Sequence, residues 1–152
     1  MGKTSAGILM YRRRDAQVEV LIVHPGGPFW KNKDAGAWSI PKGEFLPGEK
    51  ALDVARREFK EELGKAASGN STELRPVFQA GGKIVYAWAV EGDLDTTKIK
   101  SNEFEMEWPP RSGRLAKFPE VDRAEWLGLD AAREKLNHAQ TGFIDQLEEL
   151  LA

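Results

Sequence analysis

Three observations predict an α/β fold in which a mixed β-sheet is covered by helices on both faces. Two apolar, strand-like runs open the chain, Ser5 to Tyr11 and Val18 to His24. A segment with apolar residues at helical spacing, Leu52, Phe59 and Leu63, then interrupts the strands. Further strand-like runs follow, and the chain closes on helical spacing. Strands distributed on both sides of a central helix, with helices again at the end, favour one sheet between helical layers.

The elements follow in order. The polar segment Arg12 to Gln17 joins the first two strands as a hairpin. Pro25 to Gly36 carries three glycines and two prolines and reads as a long surface loop, a feature that often has a function. A short extended piece, Ala37 to Ile40, leads to Pro41-Lys42-Gly43, and Leu46-Pro47-Gly48-Glu49 opens a helix that runs to about Leu63. Gly64 is its stop signal, because glycine accepts the left-handed conformation that closes a helix. Strands are expected over Glu73 to Ala80 and Lys83 to Glu91, joined by a two-residue turn at Gly81-Gly82. Phe104 to Trp108 alternates apolar and acidic until Pro109-Pro110 breaks it, Arg123 to Leu129 forms a last strand, and Ala131 to Leu136 and Phe143 to Leu151 are helical. Phe143, Ile144, Leu147, Leu150 and Leu151 are assigned to core packing.

At 152 residues, 41% of them hydrophobic, the chain suffices for one domain spanning 1–152. Lys plus Arg number 22 against 24 acidic residues, a net charge of −2, so nucleic acid is not an expected partner. The absence of cysteine removes thiolate metal sites, disulfides and cysteine nucleophiles, and two histidines, His24 and His138, cannot make a multi-histidine zinc centre. Any bound metal is then a hard cation held by oxygen. The apolar patch Ala6 to Met10 is too short for a signal sequence or a membrane span, so a cytoplasmic protein without a membrane partner is expected.

On a helical wheel Glu58 and Glu62 share one face with Glu61 at its margin, away from the Leu52, Phe59 and Leu63 stripe. Ala51 and Ala55 lie on that acidic face and should leave open space beside the carboxylates. Three carboxylates in two turns repel one another and call for a positive partner, either Mg²⁺ or Mn²⁺ or the basic residues of an ordinary solvated face, Lys65 and Arg57 among them.

Fixed spacing decides between these. Gly43, Glu49 six residues on, and Arg57-Glu58-Phe59-Lys60-Glu61-Glu62-Leu63-Gly64 together resemble the Nudix box over residues 43–65. Seven fixed residue types in register arise by chance with a probability on the order of one in 10⁸ per starting position. Lys65 departs from the pattern, standing where the family usually has an aliphatic residue.

The resemblance implies a Nudix-type α/β/α sandwich with a mixed sheet and a metal-dependent hydrolase of a phosphoanhydride bond in a nucleoside diphosphate derivative. Glu58 and Glu62 are then the principal metal ligands, and Glu61 either shares a metal or orients and deprotonates the attacking water. Glu49 supports the cluster, Arg57 holds Glu49 and its loop, and Gly43 permits a tight turn, with a main-chain carbonyl at Lys42 or Gly43 as a further ligand. One more carboxylate from outside the box is expected, with Glu105 or Glu107 as candidates. Pro41-Lys42-Gly43 is similar to the hydrolases of dinucleoside polyphosphates and of diphosphoinositol polyphosphates, which places Lys42 near a phosphate. Lys31, Lys33, Arg111, Arg114 and Lys117 are candidates to clamp a longer polyphosphate, and Trp30 and Trp38 to stack a base.

The expected partner is therefore a small nucleotide polyphosphate, a dinucleoside polyphosphate before a nucleoside triphosphate, ADP-ribose, nucleotide sugar or diphosphoinositol polyphosphate. A nucleotide-sensing module without catalysis is the alternative of another class. The chain is expected to act as a monomer or a homodimer, with His24 and Trp88 in structural roles.

Overall fold

The computed structural model describes residues 3–152, so Met1 and Gly2, the start of the expected 1–152 domain, lie outside the described residues. The first two strands, β1 (Thr4–Arg14) and β2 (Gln17–Pro25), pair antiparallel in the register Arg14 to Gln17, leaving a two-residue turn at Asp15-Ala16. Both turn residues have positive φ, 50° and 64°, the geometry that matches the twist of a tight hairpin. The strands thus run further into the polar segment Arg12 to Gln17 than hydrophobicity alone indicates.

After the Pro25–Gly36 loop come β3 (Lys42–Glu44) and the helix α1 (Ala51–Leu63), closed by Gly64 at φ 78°. The expected strand Glu73 to Ala80 is two short strands, β4 (Ser71–Glu73) and β5 (Val77–Gln79), both antiparallel to β6 (Lys83–Glu91). Pro76 lies in the break, where a residue without an N–H cannot continue the ladder. The turn from β5 to β6 is three residues, Ala80–Gly82, rather than two, because Gln79 pairs with Lys83.

A separate two-stranded hairpin, β7 (Glu103–Glu107) and β8 (Leu115–Pro119), precedes β9 (Val121–Gly128). The strand β8 was not expected. Its residues become a strand by pairing with β7, which local periodicity does not reveal. The helices α2 (Leu129–Lys135) and α3 (Thr141–Leu151) end the chain.

The main sheet runs β4-β6-β1-β2-β9, with β3 on β1 and β5 on β6, and it is mixed because β1 and β6 are parallel. Alternation along its central strands sends side chains to two cores. Ile8, Met10, Leu21 and Val23 face α1, where Val54, Phe59 and Leu63 meet them; Leu9, Val20 and Ile22 face Trp38, Ala132 and the α3 residues Phe143, Ile144 and Leu147. The strand β1 is therefore buried on both faces, and its apolar run is unbroken for that reason. Leu151 packs at the edge of this second core, whereas Leu150 is exposed at 45%. The result is the expected α/β sandwich, with α1 on one face and α2 and α3 on the other.

Candidate active site

The helix α1 lies across the sheet with Ala55, Phe59 and Leu63 fully buried. Ala51 and Ala55 do not leave open space beside the acids. Ala55 is sealed into the core and Ala51 packs against it, because small residues let the helix approach the sheet closely. That approach carries Glu58 and Glu62 against β3, where Gly43 pairs with Ala6.

Gly43 is required for a reason other than the expected tight turn. It lies in a strand and is not among the positive-φ glycines, but a Cβ there would stand 2.1 Å from the carboxyl carbon of Glu58. Glycine makes room for the acid.

Carboxylate oxygens of Glu58, Glu62 and Glu120 come within 4.8 Å of one another. Glu120, at the junction of β8 and β9, is not among the carboxylates expected from the sequence. Its place depends on the hairpin fold, and its only local signal is a single acid set between Pro119 and Val121. Glu105 and Glu107 are not brought into this group. Glu105 sits opposite Lys117 in the hairpin, and the Glu107 carboxylate accepts from the main-chain amides of Arg111 (2.8 Å) and Gly113 (3.2 Å), holding the hairpin tip.

Burial and mutual repulsion raise all three carboxyls. Burial, reinforced by Glu58 and Glu120, pushes the Glu62 carboxyl up to about 8; the Lys42 ammonium and main-chain amide pull the other way without cancelling it. Glu58 is raised by burial and then by Glu61, and Glu120 by the same two causes. Lys42 borders the same cleft as Glu62 and Glu120, and its own burial lowers its ammonium below the ordinary lysine value. An all-oxygen, mutually repelling set of this kind fits a hard divalent cation.

Arg57 stands between two acids, 3.4 Å from Glu49 Oε2 and 3.8 Å from Glu58 Oε1. Glu49 also accepts from the Leu46 amide at 2.8 Å, so it ties down the loop entering α1 and its carboxyl falls below the usual range.

The other expected substrate contacts scatter. Trp38 does not offer a face to a base: it is 1% exposed, its Nε1 donates to Asp34, its ring packs against His24, and the Arg123 guanidinium lies 5.2 Å from its centre. Lys33 lies over the Trp30 ring at 5.1 Å, Arg111 is at the exposed hairpin tip, and Lys31 lines a cleft beside Trp108. His24 is fully buried, 2.7 Å from both Asp122 and the Lys33 carbonyl, in the structural role expected of it, and Trp88 packs at the edge of the α1 core.

The chain is 28% identical over 144 residues to the mouse bis(5'-nucleosyl)-tetraphosphatase (asymmetrical), covering 87% of this chain and 83% of that protein. It is 29% identical over 125 residues to an 8-oxo-(d)GTP phosphatase of Mycolicibacterium smegmatis, covering 81% of this chain but only 31% of the relative. Among solved structures, a binary complex of the C. elegans Ap4A hydrolase superposes with a TM-score of 0.69 at 21% identity, over 98% of this chain and 97% of that one, a likeness of fold. The family model of the NUDIX domain matches residues 1–147, and with its box residues folded around one carboxylate group the chain belongs to the Nudix family.

Proposed function

We propose that the protein hydrolyses a phosphoanhydride bond of a nucleotide with the help of Mg²⁺, and that a dinucleoside polyphosphate is its preferred substrate. The observation that carries this reading is the convergence of Glu58, Glu62 and Glu120, the last two of which line one cleft with Lys42. The similarity to the mouse tetraphosphatase over most of both chains supports the substrate.

Glu58, Glu62 and Glu120 would hold the metal, which when bound supplies charge neutralisation for the phosphates and acidifies water. The rest falls to the chain. Glu61, one helical turn after Glu58, accepts the proton of the attacking water as its oxygen bonds to phosphorus, and the bridging P–O bond breaks to leave a second phosphate product. Lys42 donates to a phosphate oxygen and gathers charge at the leaving side. Arg57, through Glu49 and Glu58, keeps the ligand helix and its entry loop in register. No covalent intermediate is required, because placement and electrostatic stabilisation carry this class of reaction.

The test is product analysis after incubating the protein with diadenosine tetraphosphate, ATP, 8-oxo-dGTP, ADP-ribose, UDP-glucose and a diphosphoinositol polyphosphate, each with Mg²⁺ and with chelator. Chelator-sensitive conversion of diadenosine tetraphosphate to ATP and AMP, faster than any other turnover, is the expected result. Preference for another substrate would remove the dinucleoside reading, and no cleavage of any would overturn the hydrolase.

A further inference from the structure

Most large apolar side chains belong to the two cores, and several aromatic side chains do not. Phe29, Trp108 and Phe118 lie outside both, and Phe29 is 59% exposed. They meet where the Pro25–Gly36 loop faces the β7-β8 hairpin, with Phe29 and Trp108 edge to face at 5.7 Å.

The meeting is built by close approach. A Cβ on Gly26 would lie 1.9 Å from the Pro119 carbonyl, and one on Gly27 would lie 3.0 Å from the Phe104 ring. The Gly26 amide donates to the Glu120 carbonyl at 2.9 Å, and Trp108 is held by its own amide on the Arg114 carbonyl. A cleft of about 370 Å³ results, walled by Trp108, Phe118 and Pro119 with Lys31 and Asp122 at its margin. That size and this mainly apolar wall with few polar groups are those of a small-molecule site.

Its position supplies the second constraint. Pro119 walls this cleft while the next residue, Glu120, belongs to the acid group, so the aromatic slot and the acid group adjoin through neighbouring residues of one chain segment. Phosphate-linked heterocycles are ligands that call for both. Asp122 Oδ1 accepts from His24 Nδ1 at 2.7 Å, and no described residue donates to its Oδ2; Lys31, lining the same cleft, carries a donor. An acceptor beside a donor matches the exocyclic amine and ring nitrogen of adenine.

Resting on the nucleotide reading above, we infer that this cleft seats one adenine of the substrate, with its face on the Trp108 indole and its exocyclic amine toward Asp122, making Trp108 a specificity-determining residue.

Binding without turnover tests it. AMP, IMP and ribose 5-phosphate are titrated calorimetrically into the full chain in chelator, using the wild type, Trp108→Ala and Trp108→Phe. AMP is expected to bind at least roughly tenfold more tightly than ribose 5-phosphate, the gain of one stacked base. Trp108→Ala should remove that advantage while ribose 5-phosphate binds as before, and Trp108→Phe should restore most of it. Equal binding of AMP and ribose 5-phosphate by the wild type, or an undiminished advantage in Trp108→Ala, overturns the site. IMP binding as tightly as AMP overturns the role of Asp122. If no substrate is hydrolysed while AMP still binds through Trp108, the hydrolase falls and the base site stands; hydrolysis without a base advantage has the opposite meaning.

Discussion

Gly43→Ala isolates the packing that sets the carboxylate group. The added Cβ would meet Glu58 at 2.1 Å from Cδ, 2.4 Å from Cγ and 2.5 Å from Oε1. Ordinary contact starts at 3.4 Å, so the carboxyl carbon must retreat by about 1.3 Å, the difference from 2.1 Å. The backbone itself accepts alanine, since Gly43 is not in the left-handed region, and what moves is the far end of a flexible side chain. The expected cost in stability is near the lower end of an overpacked site, about 1 kcal/mol. The cost in function is larger, because Mg²⁺ holds its ligands at about 2.0–2.1 Å and a displacement of about 1 Å near the chemistry costs about 10²-fold, or about 2.7 kcal/mol. Three measurements decide it: thermal unfolding, turnover at saturating Mg²⁺, and a Mg²⁺ titration. A folded Gly43→Ala protein with wild-type turnover and wild-type Mg²⁺ dependence would refute the argument that glycine is there to admit Glu58.

Three further outcomes are expected. Glu120→Gln should weaken Mg²⁺ binding at least as much as the roughly 10–100-fold that losing an outer carboxylate costs, and should raise the melting temperature in chelator by relieving repulsion, whereas Glu105→Gln should change neither; calorimetric Mg²⁺ titration and melting curves check both. Because the folded chain holds the Glu62 proton up to about pH 8 and the unfolded chain releases it near 4.5, the unfolded state binds fewer protons between those values. Stability in chelator should therefore fall as pH rises through that window, by at most about 1.4 kcal/mol per pH unit from this group, and Mg²⁺ should flatten the slope; denaturant titrations from pH 5 to 8 with and without Mg²⁺ measure it. Phe59→Ala, opening the α1 core at a fully buried ring, should cost about 3–5 kcal/mol in a denaturant titration.

The sequence by itself determined the elements whose causes are local. Alternation and apolar runs marked β1, β2, β6 and β9, helical spacing marked α1 to α3, and Gly64 ended α1 where a left-handed residue was needed. The spacing of Glu58, Glu61 and Glu62 placed these acids on one helix, since residues four apart share a helical face whatever surrounds them. What lay between distant segments was decided only by the tertiary structure. The strand β8 exists because β7 pairs with it, and Glu120 reaches Glu58 and Glu62 because that hairpin delivers it across the sheet. Glu105 and Glu107, nearer the box in sequence and carrying the alternation that suggested them, are spent on the hairpin itself. Trp38 beside the box went into the core, while Trp108, far from it, was left facing a cleft. Burial and proximity between segments distant in sequence are properties of packing, and the period of a strand or helix carries no information about which other element will stand against it.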